Sequence, residues 1–120
     1  MTTYNEPLAL SDVLLTEVPG ISKDDRVFHG SDFVLGQVVA EVGGLIVAFD
    51  PTATTGAEAA VGLSGGPVLA ASADAAGIVI ARTAAVDTAN LVWPTGATSG
   101  QKATAISQIK ALGIVARTVQ

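Results

Sequence analysis

Residues 62–66 read Gly-Leu-Ser-Gly-Gly and satisfy G-x-S-x-G. In that pattern a serine hydroxyl stands on a sharp turn, exposed for attack on an acyl carbon. His29, Asp50 and Ser64 also follow one another along the chain. A general base, an orienting carboxylate and a nucleophile are therefore nominally present, and the chemistry would be acyl transfer. Chain order alone does not make a triad, because the three groups act only when hydrogen-bonded to one another.

The run Gly62-Leu63-Ser64-Gly65-Gly66-Pro67 also resembles the GDSGGP signature of two-barrel serine proteases, with Leu63 where the aspartate belongs. A chain of 120 residues has no room for two barrels. The α/β-hydrolase arrangement places its acid and histidine after the serine, whereas the single histidine here precedes it. A minimal serine hydrolase using Ser64 stays as an alternative, and a glycine-rich turn is the simpler account. His29 sits among Asp24, Asp25, Ser31 and Asp32, which could offer oxygens to a hard cation. They lack EF-hand spacing, so a solvated acidic loop is expected, with no metal and no cofactor. Trp93 could stack on a ligand, as a small ligand or adhesion module requires. Among so many small side chains it reads better as an anchor of the core or of an interface, with Phe49, Val61 and Pro94.

Composition narrows the field further. Hydrophobic residues make up 49% of the chain, but aromatic residues only 4% and charged residues 14%. Ala, Val, Leu and Ile carry the apolar weight, and thirteen Gly with five Pro supply many turns. This is the composition of a packing or coat protein rather than of a helical bundle. The net charge is −5, and the six basic residues are scattered, so neither nucleic acid nor an anionic membrane surface is an expected partner. With no cysteine, disulfides and zinc–thiolate sites are excluded. A core this thin gains from association with other chains. The first 15 residues lack a basic n-region, and no apolar run reaches the ~18 residues of a spanning helix, so the cytosol, or something assembled there, is the expected location.

The elements that must position these residues are mostly strands. Residues 1–20 read as a flexible arm closed by Pro19 and Gly20, with Leu8, Leu10, Val13, Leu14, Leu15 and Val18 as its apolar contacts. Residues 21–120 form a single domain. Residues 34–42 and 45–49 are strands joined by Gly43 and Gly44, a strong hairpin signal. Shorter strands are expected at 26–29, 60–63, 67–72, 77–82 and 114–119. One helix is expected over 101–112, capped by Thr98 or Ser99, ended by Gly113, and burying Ala103, Ile106, Ile109 and Leu112 with Ala105 beside them. The fold class is α+β and β-rich.

Several segments in this order carry a family pattern: Gly36-Gln37-Val38-Val39, then residues 45–50, then AAVGL at 59–63, then LVWP at 91–94, then a short helix leading to Gly113-Ile114-Val115. Across roughly residues 17–117 the chain resembles the lambda-type phage head decoration proteins. The resemblance implies a small, irregular β-barrel-like (β-tulip) domain with a short C-terminal helix and an extended N-terminal arm. It implies a non-enzymatic capsid protein on the outer surface of the virion. Such proteins bind as trimers at three-fold and quasi-three-fold sites of the expanded head and stabilise it against the pressure of packaged DNA. It further implies that the arm adds a strand to the major capsid protein.

Overall fold

The Gly43 and Gly44 pair turns the chain at positive φ, 60° and 83°, where residues with a Cβ are strained. The flanking strands β4 (Val38–Val42) and β5 (Leu45–Ala48) pair antiparallel with Val42 opposite Leu45, as the hairpin signal predicts. A computed structural model of the chain describes residues 13–117. The other strands are β1 (Leu14–Glu17), β2 (Lys23–Phe28), β3 (Asp32–Phe33), β6 (Gly62–Ser64), β7 (Val68–Leu69), β8 (Ala75–Ile80), β9 (Ala84–Asp87) and β10 (Ile114–Arg117). The helix α1 spans Ser99–Ala111.

Five strands close a barrel in the order β2-β5-β4-β6-β8. Its closing seam is thin: β2 and β5 run parallel and pair at Phe28 and Ile46, with the His29 amide donating to the Ile46 carbonyl at 2.8 Å. The interior is filled by Phe28, Phe33, Val39, Ile46, Val68, Ala70 and Val79, with Phe28 and Phe33 edge to face at 4.9 Å. A second layer covers one side of the barrel wall. It consists of the three-stranded sheet β1-β9-β10 and of α1, which packs beneath β10. Between the two layers lies the other core, where Val38, Leu63 and Ile80 of the barrel wall meet Leu14, Val86, Ala105, Ile109 and Ile114. Strand β6, residues 38–40 of β4 and residues 79–80 of β8 are thus buried on both faces, which is why these stretches read as continuous apolar runs instead of alternating ones. This is a β-rich α+β domain built on a small barrel.

Helix α1 starts with a full capping box. The Gln101 amide donates to Thr98 Oγ1 at 3.1 Å, and the Thr98 amide donates to Gln101 Oε1 at 2.9 Å. Gly113 follows the helix at φ 89°. Its buried face differs from the expected stripe. Ala105 and Ile109, four apart, are fully buried, whereas Ala103 and Leu112 are exposed. Nine residues at about 100° each rotate by half a turn, so a run of three-residue steps from 103 to 112 cannot stay on one face.

The arm is the second difference. It was expected over 1–20, but Leu14–Glu17 pairs antiparallel with β9, and Val13 and Leu14 are buried in the domain's own core. Thr16 stands opposite Ala85 and Glu17 opposite Ala84 on β9. Leu8 and Leu10 lie outside the described residues.

Candidate functional site: the outer faces of the second layer and the barrel

The end of the domain that carries β1 concentrates exposed apolar side chains. Register slips between Leu14 and Thr16, which leaves Leu15 in a bulge and 38% exposed. Val18 follows at 41% exposed, just before the Pro19 and Gly20 turn, and Ile21 closes that turn at 48%. The turn is pinned from below. Ser22 is fully buried; its hydroxyl accepts from the Val18 amide and donates to the Thr83 carbonyl, each at 2.7 Å. Its carbonyl accepts from the Ala81 amide at 2.8 Å. The apolar turn is therefore held out on a rigid base. Of the six residues expected to contact a partner through the arm, Leu15 and Val18 are exposed and Val13 and Leu14 are not.

The second group of expected residues gathers elsewhere. Phe49 is buried, and half-buried Trp93 meets it edge to face with ring centroids 6.3 Å apart, against the core between the layers. The segment before Trp93 is stitched to the start of β4: the Val92 amide donates to the Gly36 carbonyl at 2.9 Å, and the Val38 amide to the Val92 carbonyl at 3.1 Å. Val61 is half-buried against the barrel core instead, and Pro94 is half-buried beside Trp93.

The residues that could have done acyl chemistry are not brought together. Ser64 is fully buried and donates its hydroxyl to the Gly66 carbonyl at 2.6 Å. His29 Nδ1 contacts Asp74 Oδ1 at 2.6 Å. Asp50 accepts from the Thr52 hydroxyl at 2.8 Å and from its amide at 3.0 Å, and these bonds hold its carboxyl below the ordinary carboxylate range. His29 and Asp50 do line one open groove of about 420 Å³, but Ser64 is not part of it. Among the described residues no three His, Asp or Glu side chains are grouped to hold a metal ion, and no helix is long and apolar enough to cross a membrane.

Ion pairs lock the barrel mouth. Arg82 forms a two-point pair with Asp24 and also donates to the Ile21 carbonyl at 2.7 Å. The hydrogen bonds from Arg82 hold the Asp24 carboxyl below its usual range, aided by the charges of Arg82 and Arg26, while the guanidinium is pushed up in turn. Arg26 reaches Glu41 at 3.0 Å and the Gly44 carbonyl at 3.3 Å, bridging β2 to the hairpin where the backbone seam is missing. Lys23 pairs with Glu17 at 3.2 Å. These pairs satisfy charge within the domain.

The family model for bacteriophage lambda head decoration protein D matches residues 3–114. The chain belongs to that family. It is a phage head decoration protein, a β-rich structural component of the capsid. No curated protein matches it. For a decoration protein the features above sort by surface. The ion pairs and Ser64 hold the barrel together, Trp93 and Phe49 hold the layers together, and Leu15, Val18 and Ile21 are among the large apolar side chains left exposed. Ile21 was not singled out from the sequence; its place after Pro19 and Gly20, in a turn that cannot bury it, was the signal available.

Proposed function

We propose that this decoration protein binds the major capsid protein of the expanded phage head from outside, as trimers at three-fold and quasi-three-fold sites, and stabilises the shell against internal DNA pressure. The observation that carries the reading is the exposed apolar set Leu15, Val18 and Ile21 on a rigid turn, at the strand that follows residues 1–12, in a chain of this family. Leu8 and Leu10 extend the contact, with the arm adding a strand to the capsid protein. Main-chain bonds then supply affinity and the apolar side chains supply register. Ordering such an arm costs on the order of 1–2 kcal/mol per residue, so binding requires a preformed partner edge, which accounts for preference for the expanded state. The acidic net charge of −5 suits the outside of a shell better than a face turned to DNA. The role is structural and uses no catalytic group; the protein resides in the host cytoplasm before assembly.

The test is co-sedimentation with expanded and unexpanded DNA-free heads. Saturable binding to expanded heads alone, near one copy per capsid subunit, is the expected result, and removal of residues 1–12 abolishes it. Binding to neither form overturns the capsid reading, and undiminished binding after truncation overturns the role of the arm.

A further inference from the structure

The groove shared by His29 and Asp50 has no part in the capsid reading. Its floor is the outer face of the β4–β5 hairpin. Val39 and Ile46 fill the barrel, so Val42 and Val47 turn outward. There they line a space of about 420 Å³ with Ala53 and Ala57. Both walls are pinned by main-chain bonds. On one side the His29 amide donates to the Ile46 carbonyl at 2.8 Å, and the Gly30 amide to the Ala70 carbonyl at 3.1 Å. On the other, the Asp50 amide donates to the Ala57 carbonyl at 2.8 Å, and the Ala53 amide to the Asp50 carbonyl at 3.1 Å. The groove is therefore preformed, with an apolar floor and few polar groups, as ligand sites are.

Its charge is negative and unanswered. Among the described residues Glu17, Asp24, Glu41 and Asp74 each meet a basic side chain, whereas Asp50 meets none. Asp50 Oδ1 accepts from both the amide and the hydroxyl of Thr52, and no donor among the described residues reaches Oδ2. His29 and Asp74, in contact at 2.6 Å, carry no excess positive charge between them whether or not the imidazole is protonated. The groove is also a surface of its own. His29 follows Phe28 at the far end of β2, about 20 Å along the strand from Lys23, which adjoins the apolar turn.

We propose that this groove receives a lysine side chain of a partner protein, with the ammonium on Asp50 Oδ2 and the aliphatic stem across Val42, Val47 and Ala57. Charge complementarity selects a cation, and the apolar floor selects one on a hydrocarbon stem. A wholly apolar occupant would take water from the carboxylate and return nothing. Arginine fits less well, because its planar fork pairs best with two carboxylate oxygens and Thr52 already occupies one; an ammonium needs only the other. The partner is not the surface that covers Leu15, Val18 and Ile21, so the site stands apart from the capsid reading.

The test is an NMR titration of the full chain at neutral pH with the blocked tripeptide Ala-Lys-Ala, and with the same peptide carrying arginine or norleucine in place of lysine. Saturable millimolar binding of the lysine peptide is expected, with shifts centred on Val42, Val47 and Ala57, and weaker binding of the other two. Asp50→Asn keeps an acceptor for Thr52 and is expected to weaken the lysine peptide about fivefold. Ala53→Leu fills the groove and is expected to abolish binding. Circular dichroism verifies that both variants fold. No saturable shift at the groove, equal affinity for the norleucine peptide, or undiminished binding to Asp50→Asn overturns the site. Cadaverine is the control for a free diamine: binding tighter than that of the lysine peptide overturns the protein partner.

Discussion

Ser22 and Thr83 lie 61 positions apart, yet the Ser22 hydroxyl donates to the Thr83 carbonyl at 2.7 Å and accepts the Val18 amide at the same distance. One buried hydroxyl thereby joins the exit of β1, the entry of β2 and the approach to β9. Ser22→Ala leaves two main-chain groups without their partner. A loss of about 1–3 kcal/mol is expected, read from urea denaturation. An unchanged midpoint contradicts the role assigned to this bond.

Gly62 sits where β6 crosses closest to β8. A Cβ there would lie 2.4 Å from the Ile80 carbonyl oxygen and 2.9 Å from Val79 Cγ1. The first neighbour is backbone and cannot rotate away. Gly62→Ala is expected to destabilise by about 1–3 kcal/mol or more, whereas Gly66→Ala, which meets nothing within 4 Å, changes stability little. Thermal melts of the two variants side by side are the measurement, and equal melts contradict the packing.

Trp93 and Phe49 hold the loop after the 3-10 turn Thr88–Asn90 against the core between the layers. Trp93→Ala is expected to lose about 2–3 kcal/mol, below the range for a fully buried ring because Trp93 is half exposed. Trp93→Phe recovers part of it by keeping the edge-to-face contact. Chemical denaturation followed by circular dichroism decides, since the variants remove the sole tryptophan fluorophore.

The two possible truncations of the arm differ in kind. Removing residues 1–12 leaves every described strand in place, and the melting temperature is expected to hold. Removing residues 1–18 strips β1 from β9 and takes Val13 and Leu14 out of the core, so the shorter protein is expected to melt markedly lower or fail to fold. Equal melting of both truncations contradicts the placement of β1 in the domain.

Acid acts on the pair of Asp24 and Arg82. The Asp24 carboxyl is held below its ordinary value in the fold, so its contribution is full above about pH 4 and disappears as pH falls through the lowered value. Asp24→Asn removes this contribution. The stability gap between wild type and variant is expected to be widest near neutral pH and to narrow as pH falls below about 4. A gap that widens with acid reverses the sign and contradicts the assignment.

Local chemistry made part of this fold legible. Gly43 with Gly44 marked the hairpin, and Thr98 or Ser99 and Gly113 marked the ends of the helix, because turns and caps are short-range affairs. Residues paired across long stretches were not legible. Leu14–Glu17 reads as an arm until β9 is placed beside it, and its partners Ala84 and Ala85 carry no strand signal of their own. The same holds for the closing contact of Phe28 with Ile46. Among the partner-contact residues, apolar character showed at all six, but only the fold tells that Val13 and Leu14 face inward while Leu15 is turned out by a bulge.

The placement of β1 also decides how the domain bears load. Bonds to β9 run across the strand direction. Tension drawn in line with β1 acts on the rungs at Leu14, Thr16 and Glu17 at once and must shear them together. Tension drawn sideways peels them singly. A pull on β1 therefore meets stiff resistance along one axis and yielding resistance along the other.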